Sequence, residues 1–145
     1  IGFSRFRRLA DAAEDAGVLL AVENLRSLGH GMAVLDALDT PGVRACYDAG
    51  HHSCYGQDST FLDRYGARIA AIHLHDNDGT DDQHRIPFTG TVNWPAEMAR
   101  IRKTAYRGPL TLELGGLPEL PAEEHLLAAS AAADRLIALY ESAPE

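Results

Sequence analysis

Glu23, Asp48, His73 and Glu113 each close a short apolar run. The runs are Leu19-Leu20-Ala21-Val22-Glu23-Asn24, Arg44-Ala45-Cys46-Tyr47-Asp48, Ala70-Ala71-Ile72-His73-Leu74-His75-Asp76 and Pro109-Leu110-Thr111-Leu112-Glu113-Leu114. The first three marked residues stand 25 positions apart and the fourth follows after 40. Two Glu, one Asp and one His offer three oxygens and one nitrogen, a donor set that suits a divalent cation. Mn²⁺, Mg²⁺, Co²⁺ and Zn²⁺ all accept such donors, in differing geometries. A single charged residue at a strand end is as readily a solvated loop entrance. Four in successive units, of types that together suit a metal, are poorly explained that way.

Other residues of the same chemistry lie close by in sequence. His51 stands three residues after Asp48, and Asp82, His84 and Arg85 fall in the polar stretch after the third run. If that run continues past His73, side-chain alternation sends His73 and His75 to one face. His73 is read as the ligand, and His75 as a loop residue or one standing behind the ligands. Arg85 could meet a phosphate or a hydroxyl group, and equally could be a solvated loop charge. Trp94 reads as a packing anchor and His52 as a packing or solvent residue. Neither a glycine-rich phosphate loop nor a nucleophile elbow is present.

The elements that would position these residues alternate between strand and helix. Phe3, Phe6, Leu9, Ala10 and Ala13 recur at helical spacing over residues 3–16, and Gly17 supplies a stop. The first strand, 19–24, is followed by a glycine-rich loop at 27–31 and a short helix at 32–38. The second strand, 44–48, leads into a loop around His51-His52-Ser53-Cys54, and Ser59 or Thr60 can cap a helix running to about residue 67. The third strand, 70–76, opens a long loop, 77–91. Asn93 then caps a helix to about 104, with Pro95 tolerated in its first turn. The last strand, 109–114, precedes a linker with Pro118 and Pro121 and an amphipathic helix at about 122–141. One helix followed by four βα units implies a parallel sheet with right-handed crossovers. Ionisable residues at the C-terminal ends of parallel strands are where a (β/α) barrel of the TIM type builds its site. Four units make half such a barrel, so the expected fold class is α/β, a single domain over 1–145 forming a half barrel.

Composition sets outer bounds. The chain has 145 residues, 46% hydrophobic and 23% charged, ordinary values for one globular domain. A formal charge of −8 argues against a large basic nucleic-acid footprint, though not against a small basic cleft. No apolar run reaches membrane-spanning length, and no secretion leader is read at the start. Cys46 and Cys54 form no CxxC motif. Cys46, inside a strand, is expected to act as a small buried hydrophobe, and both thiols to stay reduced in a cytoplasmic protein.

Six pieces in order carry a resemblance: Val22-Glu23-Asn24, Tyr47-Asp48-Ala49-Gly50-His51, Ile72-His73-Leu74-His75-Asp76-Asn77, Asp82-Gln83-His84-Arg85, Thr91-Val92-Asn93-Trp94 and Leu110-Thr111-Leu112-Glu113. With these the chain resembles the C-terminal half of the xylose-isomerase-like barrel superfamily of sugar-phosphate isomerases and epimerases, to which metal-dependent apurinic endonucleases are related. The resemblance implies that Glu23, Asp48, His73 and Glu113 hold one divalent ion. It further implies that Glu23 and Glu113 handle the proton moved on a ketose. Moving a proton α to a carbonyl needs a base, an acid and an electrophile for the enediolate charge. A sugar or sugar phosphate is therefore the expected substrate, with His51, His75, Asp82, His84 and Arg85 touching it or supporting the ligands. In the endonuclease branch, residues matching His51, Asp82 and His84 bind additional zinc ions, which makes a metal-dependent hydrolase the competing reading. A noncatalytic half barrel is the third. Phe88-Thr89-Gly90 stands where many relatives carry a glycine-x-glycine turn. The outer strands, 19–24 and 109–114, would each lack a neighbour, and inward side chains such as Leu20 or Leu112 would face water. Self-association, or pairing with a missing N-terminal half, is the expected remedy.

Overall fold

The computed structural model describes residues 2–55, 60–116 and 120–144. Ser59 and Pro118, assigned to a cap and a linker from sequence, lie outside the described residues. The described chain runs α1 (Gly2–Asp15), β1 (Leu20–Glu23), α2 (Leu28–Ala37), β2 (Val43–Asp48), α3 (Ala49–Cys54) and α4 (Thr60–Tyr65), followed by a 3₁₀ turn at Gly66–Arg68. It continues through β3 (Ile69–Leu74), α5 (Trp94–Arg102), β4 (Leu110–Leu112) and α6 (Ala122–Ser142). The four strands form one parallel sheet in the order β1-β2-β3-β4. Each strand lies beside the next in sequence, as in an unclosed (β/α) barrel.

Register aligns the strand ends that matter. Glu23 pairs with Cys46, Cys46 with Ala71, and Asp48 with His73. The register shifts between Ala45, which pairs with Ile69, and Cys46, which pairs with Ala71. Alternation then separates two faces. Ala45, Tyr47, Ile72 and Leu74 face the helices and join Leu35, Phe61, Trp94, Met98, Ile101 and Leu136 in one core. The other face carries Glu23, Cys46, Asp48, Ala71, His73 and Thr111 by the same period.

Leu20 and Leu112 were expected on that second face, looking into water. They instead pack against the core on the helix side. The reason is parity: Glu23 and Leu20 are three apart, so they point oppositely, and Leu112 opposes Thr111 in the same way. Large exposed apolar side chains sit elsewhere. Phe3, Leu9, Val18, Leu19 and Leu25 lie on and around α1 and β1, and Leu126, Leu127 and Ile137 lie on α6.

Three local assignments differ from the sequence pattern. The stretch 27–31 is not a loop: α2 begins at Leu28. Gly31 lets this helix pass close to the sheet, because a Cβ there would lie 3.0 Å from the Glu23 carbonyl oxygen. Residues 49–54, expected as a loop, form α3, since the Asp48 carboxylate caps its first turn by accepting from the His51 N–H at 2.7 Å. The third strand stops at Leu74, and Asp76 instead pairs antiparallel with Arg85 across the loop. The helix stop at Gly17 (φ +67°) and the Asn93 cap on Ala96 follow the sequence expectation. Among the described residues no helix is long and apolar enough to cross a membrane.

Candidate metal centre

Glu23, Asp48 and His73 stand at or beside the C-terminal ends of β1, β2 and β3, and Glu113 follows β4 by one residue. One donor atom from each lies within 4.8 Å of all the others. His73 Nδ1 is 2.8 Å from Glu23 Oε1 and 2.7 Å from Glu113 Oε2. A ring nitrogen carries at most one hydrogen, so it satisfies only one of these oxygens. Glu113 Oε2 and the buried Asp48 Oδ2 make no hydrogen bond. Three carboxylates crowded around one imidazole with too few protons between them would repel one another, and a cation removes that cost. The donor set and its unsatisfied atoms thus fit a divalent ion.

Asp48 is held from three directions. Asn24, quoted in the sequence only within the Val22-Glu23-Asn24 piece and given no role there, clamps the Asp48 backbone: its Oδ1 accepts from Asp48 N at 2.7 Å and its Nδ2 donates to Asp48 O at 2.9 Å. The His51 N–H donates to Asp48 Oδ1, and His75 Nε2 stands 3.0 Å from the same oxygen. Burial alone would raise the Asp48 carboxyl. The His75 imidazole, then the His51 N–H, outweigh it and hold the group below the usual carboxylate range. His75 moves the opposite way: burial lowers it, but Asp48, and after it Asp82, leave it above the ordinary imidazole value.

Beside this set lies a second, formed by His51, His75, Asp82 and His84, again with donor atoms within 4.8 Å of one another. His51 Nε2 is 3.0 Å from Asp82 Oδ2, while His84 Nε2 and His75 Nε2 approach Asp82 Oδ1 at 3.3 and 3.5 Å. His51 Nδ1, His75 Nε2 and Asp82 Oδ1 are buried without a hydrogen bond. The 3.0 Å approach of His75 Nε2 to Asp48 is therefore close but off the line of a ring N–H. The His75 and His84 rings stack 3.9 Å apart at 12°. Gly50 makes room for this arrangement, since a Cβ there would fall 2.1–2.5 Å from the His75 ring. His75, expected as a loop residue or one behind the ligands, is thus a fully buried member of this second set. Arg85 is in neither set. Its guanidinium pairs with Asp78 at 3.2 Å and its backbone pairs with Asp76.

The loop carrying Asp82 and His84 is fixed by a residue that its sequence context does not mark. Buried Asp76 accepts from Asn77 N (2.9 Å), Phe88 N (2.8 Å), Val92 N (3.1 Å) and Trp94 Nε1 (2.9 Å). Trp94 is the packing anchor expected, and it is also a donor. Gly90 passes so near that a Cβ would lie 2.2 Å from Asn77 O and 2.3 Å from Asp76 Oδ1. Phe88, standing in the place of a common glycine, adopts φ +72°, the region glycine enters freely. The loop therefore keeps a glycine-like turn without the glycine. At its other end His84 (φ +49°) contacts the Glu113 carbonyl through Nδ1 at 2.9 Å, and its own carbonyl accepts from Gly115 N.

Cys46 is buried, as its strand position implied. Burial first, then Glu23, Asp48 and Glu113, push its thiol up to about 12. Its sulfur also falls into a third group, with donor atoms of Glu23 and His73, within the same 4.8 Å limit.

Comparison with known proteins agrees with this architecture. The chain is 42% identical over 72 residues to the uncharacterized protein y4fM of Sinorhizobium fredii, which spans 49% of this chain and 23% of that protein. It is 24% identical over 122 residues to the uncharacterized protein MJ1311 of Methanocaldococcus jannaschii, spanning 77% and 42% of the two chains. Among solved structures, a D-tagatose 3-epimerase-like protein superposes with TM-score 0.80 at 21% identity, over 96% of this chain and 53% of that one. The IOLI protein with a bound zinc atom gives 0.79 at 21%, over 93% and 54%. The 3-keto-D-glucoside 4-epimerase YcjR from E. coli gives 0.72 at 18%, over 91% and 52%. At such identities the likeness is one of fold, and this chain spans about half the length of each of these structures. A family model described as a xylose isomerase-like TIM barrel matches residues 3–135, and the chain belongs to that family.

Proposed function

We propose that this domain carries the metal-binding half of a divalent-metal-dependent isomerase or epimerase acting on a sugar or sugar phosphate. The supporting observation is the convergence of Glu23, Asp48, His73 and Glu113, with two buried carboxylate oxygens left unsatisfied. A bound Mn²⁺, Mg²⁺, Co²⁺ or Zn²⁺ would supply the Lewis acid that steadies an enediolate. Glu23 at the end of β1 and Glu113 just after β4 both reach His73 Nδ1 on β3, which suits one as base and the other as acid for a proton moved α to a carbonyl. Asp48 is held in place by hydrogen bonds with Asn24 and the His51 N–H. Zinc in the IOLI structure and epimerase activity in the YcjR name support the same reading.

A second reading, a metal-dependent apurinic endonuclease-like hydrolase, is favoured by one observation: the adjacent His51, His75, Asp82 and His84 set, able to hold a further ion. The net charge of −8 weighs against it. The test is proton exchange. Glu23→Gln and Glu113→Gln keep shape and an oxygen donor but lose the basic carboxylate. With the full-length protein, each is expected to abolish solvent-deuterium incorporation into a ketose while circular dichroism stays unchanged. Normal incorporation with either variant removes that glutamate from the proton transfer, and cleavage of abasic DNA without ketose exchange would favour the second reading.

A further inference from the structure

The set of three oxygens and one nitrogen does not exhaust the donors around His73. Cys46 is in register with Glu23 on β1, and it stands two residues before Asp48, so its side chain shares their face. A sulfur, a Glu23 carboxylate oxygen and a His73 ring nitrogen lie within 4.8 Å of one another. Glu23 and His73 are therefore common to two overlapping donor sets. One adds the oxygens of Asp48 and Glu113; the other adds a sulfur. A further observation points to a ligand in this space: Asp48, with no exposed surface, keeps Oδ2 free of any hydrogen bond, and a donor atom of Asp48 lies within 4.8 Å of donor atoms of Glu23 and His73.

Thiolate sulfur binds borderline and soft ions strongly and hard ions weakly, whereas carboxylate oxygen does the reverse. We infer that Cys46 is a metal ligand for soft and borderline divalent ions, so that the centre has two overlapping positions chosen by the ion's softness. Mn²⁺ or Mg²⁺ takes the oxygen-rich position with Asp48 and Glu113. Cd²⁺, and Zn²⁺ to a lesser degree, is drawn toward the sulfur with Glu23 and His73. Coordination breaks the Cys46 S–H bond, sends its proton to bulk water and forms the metal–sulfur bond with the sulfur's electron pair; no oxidation state changes. Cys54 belongs to none of these groups and serves as the internal control.

This inference rests on the reading of Glu23 and His73 as ligands, and the experiment separates the two. Cd²⁺ is titrated into the purified reduced chain, with binding followed by calorimetry and by the thiolate-to-metal charge-transfer band in the ultraviolet. Mn²⁺ binding is measured in parallel. The expected result is a band that saturates with one Cd²⁺, persists in Cys54→Ser and disappears in Cys46→Ser, while Mn²⁺ binding in Cys46→Ser stays within about twofold of the unaltered chain. Mn²⁺ binding with no band at Cd²⁺ saturation, or a band retained in Cys46→Ser, overturns the role of Cys46 and leaves the oxygen-rich site standing. Failure of both ions to bind, or binding unaffected by His73→Ala, overturns both.

Discussion

Asp48 is the residue on which most of the local chemistry meets. It ends β2, caps α3, is clamped by Asn24 and stands 3.0 Å from His75. Its carboxyl is depressed below 3.8 and the His75 imidazole raised above 6.5, which ties the metal-free stability to pH. The depressed Asp48 stabilises the fold above pH 3.8, a contribution lost as pH falls through its folded value. The raised His75 stabilises it below pH 6.5, a contribution lost as pH rises through its folded value. Metal-free protein is therefore expected to gain most from this pair between pH 3.8 and 6.5. The His75→Asn variant should lose the alkaline fall in thermal stability that the pair produces. Melting curves across pH on chelated protein check this, and an unchanged alkaline limb in that variant would refute it. At this scale Glu23, Asp48, His73 and Glu113 were legible in sequence because each ends an apolar run. Asn24 and Gly50 were not, because their work lies in contacts with Asp48 and His75 that only the register of β1, β2 and β3 creates. The inclusion of His75 was half legible: alternation placed it on the face of His73, while its inward turn depends on Gly50.

At the scale of elements, the order of strands and helices followed from apolar runs and turn residues, whereas the short helix α3 did not. Nothing periodic marks Ala49–Cys54 as helix; the signal was the capping carboxylate of Asp48, which had already been assigned to a metal. The loop between β3 and α5 was expected to be merely long and polar. Asp76 makes it a fixed structure, and that role was hidden because its partners Phe88, Val92 and Trp94 are brought to it only by the folded loop. Replacing Asp76 by Ala strands Phe88 N, Val92 N and Trp94 Nε1 together with Asn77 N. Each buried unsatisfied donor costs about 1–3 kcal/mol, and partial rewetting of the loop offsets some of that. A loss of roughly 3 kcal/mol or more is expected in urea denaturation of Asp76→Ala. A loss below about 1 kcal/mol would show that the loop does not depend on this carboxylate.

Among the described residues the parallel sheet has both outer strands open and a polar face where the centre lies. Sequence reasoning placed the exposed apolar surface on that inner face, and it was wrong about the location because it misread the parity of Leu20 and Leu112. The exposed apolar groups gather at the two ends of the arc, on α1 with β1 and on α6. We propose that these ends, with the free edges of β1 and β4, are covered by a second copy or by further βα units. Burying one Leu contributes roughly 1.5–3 kcal/mol, so several at each end favour association. Sedimentation of this 145-residue chain should show dimers or larger species at micromolar concentration. A monomer at high micromolar concentration with a cooperative melt and no dye-binding apolar surface would contradict that.

The central claim is that Glu23, Asp48, His73 and Glu113 share one cation, and the binding of Mn²⁺ to the chain and to Asp48→Asn tests it most directly. Asn keeps the size of the side chain and an oxygen to cap His51, but removes the charge and weakens the donor. Calorimetry or manganese paramagnetic resonance should show one ion bound to the unaltered chain. In Asp48→Asn the affinity should fall by more than the roughly 10–100-fold typical of losing a group behind a ligand, with circular dichroism unchanged. Equal Mn²⁺ affinity in the two proteins, or no binding to either, would contradict the account.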